Sequence, residues 1–267
     1  MIYRLQYISL FSFLLSIYTL TAQVNKPEDS TKNIPISLKI ENDTISVYAL
    51  LAKGNEKKET VILLHGLPGH ERNLDIAQEL RRNGKNVIFF NYRGAWGSQG
   101  DFLYTQCIED VGKILDFLSK PENAETYKIK PDAFVLFGHS MGGGIALLAG
   151  ANDSRVQKIA VYSPYLLEGA AEESLNGAKS YFESLFMLNI NFPEFKKDIL
   201  SSKDQLKVLN FKQGLSQKHL LILDENERNK HWIDQLDNVE FILMETDHSF
   251  SDRRLELTDR VIKWIDM

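Results

Sequence analysis

The chain has 267 residues, with 31 Lys and Arg against 36 Asp and Glu, a formal net charge of −5, 43% hydrophobic residues and one cysteine. That length and apolar content suit a single domain with a sizeable core. The mildly acidic, mixed charge argues against nucleic acid or an anionic membrane surface as a partner, and the lone Cys107 excludes an internal disulfide framework and a CxxC metal site.

At the N-terminus, Arg4 is the only charged residue before Lys26. Tyr7 to Leu20 is apolar or hydroxylic, and Thr21-Ala22-Gln23 follows. This pattern predicts a secretory signal peptide over residues 1–22, cleaved after Ala22. Its apolar core falls short of the roughly 20 residues that comfortably span a bilayer. A secreted or periplasmic protein with no stable membrane partner after cleavage is therefore expected, and an anchor through residues 7–22 is the alternative. Residues 23–35 are polar and read as a short disordered leader.

From there, Ile36–Ile40 and Ile45–Leu50 alternate with period two around Glu41-Asn42-Asp43, which predicts a hairpin. Short apolar runs follow at Val61–Leu64, Asn86–Asn91, Phe134–Phe137, Ile159–Tyr162, Leu220–Leu223 and Val239–Leu243. Most are apolar on both parities, as in parallel strands buried on both faces. Between them Glu71–Asn83, Cys107–Leu118, the Trp232/Leu236 pair and Leu255–Ile265 carry helical spacing. The expected fold is therefore α/β, a mostly parallel doubly wound sheet with an antiparallel N-terminal hairpin. Pro164–Gly214 interrupts the alternation with helical patterns and no clear strand, and a structureless loop of that length is improbable in a compact domain. It reads as an inserted helical cap, within a domain running over residues 36–267.

The densest chemical signal is Val135-Leu136-Phe137-Gly138-His139-Ser140-Met141-Gly142-Gly143-Gly144. An apolar strand ends at a serine with glycines at minus two and plus two, and a helix-compatible stretch follows. This is the G-x-S-x-G spacing of a nucleophile elbow. The turn is so tight that the flanking residues leave no room for a Cβ, and the helix start directs free N–H groups at a developing oxyanion.

A serine nucleophile needs a base, an orienting acid and an oxyanion hole, on loops after strand ends and in the chain order serine, acid, histidine. His248 follows the strand-like Phe241–Glu245 and precedes the last helix, so it is the candidate base. The acid belongs in the loop Asp224-Glu225-Asn226-Glu227-Arg228. Glu227 sits further round that loop and ranks first. Asp224 ranks second, since its place at the strand end brings it early. Asp247, next to His248, is badly placed to orient that ring. The oxyanion donors are the backbone N–H of Met141 and of Leu67 in His65-Gly66-Leu67-Pro68-Gly69.

With Asn91-Tyr92-Arg93-Gly94-Ala95-Trp96-Gly97-Ser98-Gln99-Gly100 and Asp247-His248-Ser249-Phe250, these motifs stand in the order found in a known family. Over about residues 36 to 265 the chain resembles the α/β-hydrolase superfamily, in particular its secreted esterase and serine-aminopeptidase-like members. The resemblance implies that the Asn91–Gly100 turn follows the fourth strand and borders the active-site floor without a catalytic role. It also implies that the family's Gly-x-x-Asp acid loop falls on Asp224-Glu225-Asn226-Glu227, with glutamate in place of the usual aspartate. The expected activity is hydrolysis of a carboxylic ester, less readily an amide, through an acyl-enzyme, on a small-molecule ester or acyl substrate. No metal or organic cofactor is implied. The rivals are an acyltransferase or a peptidase using the same residues, and a non-catalytic binding protein on a hydrolase scaffold.

Overall fold

The computed structural model describes residues 29–267, so the expected signal peptide and the first part of the leader lie outside the described residues. In chain order the elements are β1 (Lys32–Ile40), β2 (Asp43–Leu51), β3 (Lys58–Leu64), α1 (Leu74–Arg82), β4 (Asn86–Phe90), α2 (Tyr104–Ser119), α3 (Pro121–Thr126), β5 (Ile129–His139), α4 (Met141–Gly150) and β6 (Val156–Tyr162). They continue with α5 (Glu172–Gly177), α6 (Lys179–Ser184), α7 (Phe192–Ser202), α8 (Lys212–Leu215), β7 (His219–Asp224), α9 (Lys230–Ile233), β8 (Val239–Leu243) and α10 (Arg254–Ile265).

The eight strands form one sheet in the order β1-β2-β4-β3-β5-β6-β7-β8. β1 and β2 pair antiparallel with each other, β2 pairs antiparallel with β4, and β3 to β8 run parallel. Because side chains alternate across a strand, β3 feeds two cores. Ile62 and Leu64 join the core beneath α2 and α4, while Val61 and Leu63 join the core beneath α1 and α10. The connection from β3 leads to β4 on one side, and the chain then crosses back to place β5 on the other. That reversal is the topological switch point of a doubly wound sheet, where the loops at the strand C-termini frame a crevice. The loop after β3 begins at His65, and Ser140 follows the last residue of β5.

Three of the differences from the sequence reading have a visible structural cause. β1 starts at Lys32, so residues 32–35 belong to the sheet and not to the leader: β2 runs on to Leu51, and Lys32 pairs with it. Pro35 is tolerated because β1 is an edge strand. Helix α1 starts at Leu74 because Asn73 is buried in a left-handed conformation with φ 55, its side chain accepting from Tyr162 Oη at 2.7 Å. The helix carrying Trp232 is a single turn that ends at Ile233.

The insertion between β6 and β7 is helical, from α5 to α8. Both of its ends are pinned to α4. Tyr165 N–H donates to the Ser140 carbonyl at 2.9 Å. At the other end a Cβ on Gly214 would lie 2.5 Å from the Ala151 carbonyl oxygen, so this close approach requires glycine. Helix α7 is also fixed to the body, since the Asp198 carboxylate accepts from Thr105 N–H at 3.1 Å and Thr105 Oγ1 at 2.5 Å in the first turn of α2.

Candidate active site

Ser140 occupies the turn between β5 and α4 with φ 55 and ψ −123. A non-glycine residue at positive φ carries local strain that the surroundings must hold in place. Here they do so by close packing. A Cβ on Gly138 would lie 2.3 Å from the Gly142 carbonyl oxygen, and one on Gly142 would lie 2.2 Å from that of Leu64. Both obstacles are backbone, which has no side-chain freedom to yield. Ser140 is also the N-cap of α4, so its side chain stands at the positive end of a helix dipole.

His248 sits in the loop between β8 and α10. Its Nε2 lies 3.0 Å from Ser140 Oγ, and its Nδ1 lies 3.2 Å from Glu225 Oε1. The loop is self-bracing: Asp247 Oδ1 accepts from Ser249 N–H at 3.0 Å and Ser251 N–H at 2.9 Å. Asp247 is thus committed to its own turn. His139 supplies a second brace, with Nε2 3.0 Å from the His248 carbonyl oxygen and its ring stacked on Tyr162 at 4.3 Å. Burial pushes the His139 pKa down to about 4, so the neutral ring donates its Nε2 proton to that carbonyl.

The acid beside His248 is Glu225, not Glu227 or Asp224. Glu227 is exposed, and its backbone carbonyl accepts from Lys230 N–H at 3.0 Å. Asp224 is the last residue of β7 and fully buried, and it faces away into Asn229, whose Nδ2 donates to it at 2.7 Å. Asn229 Nδ2 also donates to the Pro164 carbonyl at 2.9 Å, and Trp232 Nε1 donates to Asn229 Oδ1 at 3.1 Å. This buried network turns the chain so that the next side chain, Glu225, emerges toward the crevice. Ser163 Oγ then donates to Glu225 Oε2 at 2.6 Å, and Arg228 Nη2 lies 3.1 Å from Oε1. Burial works against a charge on Glu225, but hydrogen bonds from Asp224, Ser163, its own N–H and His248 outweigh it and hold its pKa down at about 2. Burial, with the neighbouring Glu225, drives Asp224 the other way, up to about 7. The two adjacent carboxyl groups are therefore driven apart: Glu225, facing His248, is held ionised, while Asp224, facing the core, is pushed toward its protonated form.

Leu67 and Met141 both border the cavity that reaches Ser140. Met141 is the first residue of α4, where backbone N–H groups have no partner within the helix. The Leu67 loop is held by the Asn91–Gly100 turn, because Trp96 Nε1 donates to the Pro68 carbonyl at 2.7 Å. That turn also grips the insertion through Trp96 N–H to the Met187 carbonyl at 2.8 Å and Asn189 N–H to the Gly94 carbonyl at 2.7 Å. It is fixed underneath by a buried ion pair, Arg93 Nε to Asp110 Oδ1 at 2.6 Å. His65, at the base of the Leu67 loop, is fully buried, which pushes its pKa down to about 4, and its Nδ1 lies 2.8 Å from the Gly66 carbonyl oxygen.

A cavity of about 520 Å³ runs from Ser140, Leu67 and Met141 under the insertion to Leu175, Phe182 and Phe195. Every residue that lines it is uncharged. Among the described residues, no group of three or more His, Cys, Asp or Glu is arranged to hold a metal ion, and no helix is long and apolar enough to cross a membrane.

The family model for serine aminopeptidase, S33, matches residues 55–243, which take in the elbow, the Asn91–Gly100 turn and the acid loop. The chain belongs to this family. Structural similarity shows that this S33-type chain has the α/β-hydrolase fold. It is similar to Est1E from Butyrivibrio proteoclasticus (TM-score 0.63, 17% identity, 86% of this chain and 97% of that one). It is also similar to the α/β hydrolase GrgF from Penicillium sp. sh18 (TM-score 0.65, 17% identity, 88% and 97%) and to the Pyrococcus furiosus esterase Pf2001 (TM-score 0.62, 20% identity, 88% and 90%). Among curated proteins, the quorum-quenching protein AidA of Acinetobacter baumannii is 24% identical over 147 residues, 53% of this chain and 48% of that one. An uncharacterized 31.7 kDa Escherichia coli protein from a traX-finO intergenic region is 29% identical over 123 residues, 44% of this chain and 41% of that one. The chain thus matches less than half the length of these curated relatives.

Within this α/β-hydrolase frame, the structure brings Ser140 and His248 together and leaves Glu227 and Asp224 outside the contact. Sequence reasoning missed three contributors: Glu225, Ser163 and His139. Ser163 carried one usable signal, its place immediately after β6, where strand C-termini line the crevice.

Proposed function

We propose that this member of the α/β-hydrolase superfamily is a serine hydrolase that cleaves carboxylic esters through an acyl-enzyme. The observation that carries the reading is the continuous chain Ser140 Oγ, His248 and Glu225, at 3.0 and 3.2 Å, built on a serine held at positive φ. In this mechanism His248 Nε2 takes the Ser140 proton as Oγ attacks the carbonyl carbon. The ionised Glu225 keeps the remaining proton on Nδ1 and stabilises the imidazolium. The N–H groups of Leu67 and Met141 receive the oxyanion; such a donor is worth a hundredfold or more in turnover, about 2.7–4 kcal/mol. His248 then returns the proton to the leaving oxygen, activates water, and the second tetrahedral intermediate collapses to free acid and Ser140.

The uncharged cavity favours an ester over an aminoacyl amide. An aminopeptidase must hold the substrate's α-ammonium, and an ammonium placed against apolar walls without a carboxylate loses its hydration uncompensated. The substrate is proposed to be a small molecule, met outside the cytoplasm after removal of residues 1–22, a step that N-terminal sequencing of the exported protein tests by finding Gln23 first.

A fluorophosphonate probe tests the central reading. Labelling at Ser140, absent in Ser140→Ala, together with turnover of esters above that blank, is the expected result. An unlabelled wild type, under conditions that label a control esterase, refutes it and favours a binding protein on a hydrolase scaffold. Faster turnover of aminoacyl amides than of esters would instead select the peptidase.

A further inference from the structure

The two sides of Ser140 differ in a way that identifies the acyl group, given the hydrolase reading above. The leaving group must lie on the His248 side, because His248 delivers its proton. That side is open: the His248 side chain is 44% exposed, and His248 is not among the residues lining the cavity. The cavity, uncharged along its lining, lies on the side of Leu67 and Met141. The acyl half of the substrate therefore enters the cavity and the alcohol half faces water.

One wall of the cavity is Phe195 of α7, which is 1% exposed and packs against Phe102 at 6.1 Å and Phe182 at 5.0 Å between ring centroids. Phe195 lies one turn from Asp198, whose bonds to Thr105 fix α7 to α2. A second tie joins α7 to α5, where Lys196 Nζ lies 3.0 Å from Glu172 Oε1. The wall is thus part of the scaffold. The roof is looser: α6 has no buried residue, and Tyr181 and Tyr165 at the rim are each 50% exposed. The volume of about 520 Å³, at about 30 Å³ per water-sized group, holds on the order of fifteen non-hydrogen atoms.

We infer that the site takes esters of uncharged, apolar carboxylic acids of medium length, from hexanoate to decanoate, and that Phe195 sets the upper limit. Each methylene that enters an apolar site improves binding about fourfold, so kcat/KM rises about 250-fold over the four methylenes from butyrate to octanoate. Beyond decanoate the chain meets Phe195 and the gain stops.

The experiment is a series of p-nitrophenyl esters from acetate to myristate with wild type, Phe195→Ala, Phe195→Leu and Ala178→Phe, each checked for folding by thermal melt and for a live serine by fluorophosphonate labelling. The expected wild-type maximum falls between hexanoate and decanoate. Phe195→Ala, or Phe195→Leu should the alanine variant misfold, moves the maximum to longer chains. Ala178→Phe, which fills the cavity from its rim without opening the core, moves it toward acetate. A labelled, active wild type that prefers acetate, or a maximum unmoved by both kinds of variant, overturns the acyl assignment and leaves the hydrolase reading standing. Absence of both label and ester turnover overturns the two together.

Discussion

Replacing Glu225 by glutamine keeps the side chain's length and its contact with Ser163 while removing its charge. In the proposed mechanism His248 becomes an imidazolium as it accepts the Ser140 proton, and its bond to Glu225 becomes one between ionised partners. Such a bond is worth about 1.5–3 kcal/mol, a factor of about 10 to 150 in rate. The amide adds a second penalty. Its NH₂ group can turn toward Nδ1, which stabilises the tautomer that carries the proton on Nε2, where it blocks acceptance from Ser140; in a serine triad an acid-to-amide change costs roughly 10⁴ in turnover. The 3.2 Å bond, and the Arg228 guanidinium that shares the same carboxylate oxygen, place this site between those limits. We expect kcat of Glu225→Gln to fall between about 10² and 10⁴, with KM little changed because Glu225 touches no substrate. Initial rates on a soluble p-nitrophenyl ester at neutral pH provide the measurement, with Glu227→Gln alongside. Glu227 is exposed, so its amide should retain wild-type turnover. Retained activity in Glu225→Gln, or its loss in Glu227→Gln, would refute the assignment of the acid and the loop geometry behind it.

Trp96→Phe removes the bond that steadies the Leu67 loop at Pro68; a loss of about fivefold in the acylation rate, from a contact worth about 1 kcal/mol, is expected in single-turnover measurements. Gly142→Ala forces a Cβ to 2.2 Å from the Leu64 carbonyl oxygen, and the resulting overpacking should lower stability by at least 1–3 kcal/mol in denaturant melts; an unaffected midpoint would contradict the elbow packing. His65 and His139 bind their protons less well folded than unfolded, with pKa values of about 4 against 6.5. The stability they contribute is present above pH 6.5 and lost as pH falls toward 4, so Tm should decline through that window and decline less in a His65→Gln/His139→Gln variant. Asp224 has the opposite sign. Its folded pKa is raised from 3.8 to about 7, so it favours the folded state below pH 3.8, and that contribution is lost as pH rises through 7. Asp224→Asn should remove a fall in Tm between about pH 4 and 7, and an unchanged slope across that window would show that the buried carboxyl does not hold its proton there.

The sheet was legible because buried parallel strands are apolar on both parities, and the elbow because its glycines are demanded by backbone contacts two residues away. His248 was legible because its place between the last strand and the last helix leaves few positions for a base. The acid was not legible, for a physical reason. Asp224, Glu225 and Glu227 are chemically alike, and what separates them is the direction the backbone takes after β7. That direction depends on Asn229 bonding both Asp224 and the Pro164 carbonyl, a contact across 65 residues that no local spacing reveals. The start of β1 was missed for a related reason. Lys32-Asn33-Ile34-Pro35 is too polar to read as a strand, and it is one because β2 offers it an open edge.

The pinning of both ends of the insertion to α4 has an engineering consequence. The hydrogen bond from Tyr165 to the Ser140 carbonyl and the seat of Gly214 on Ala151 mark natural splice points. A segment exchanged strictly between them inherits an intact Ser140 turn. A graft that displaces either residue disturbs the helix on which Ser140 is mounted, so loss of activity in such a chimera would report the junction and not the new lining.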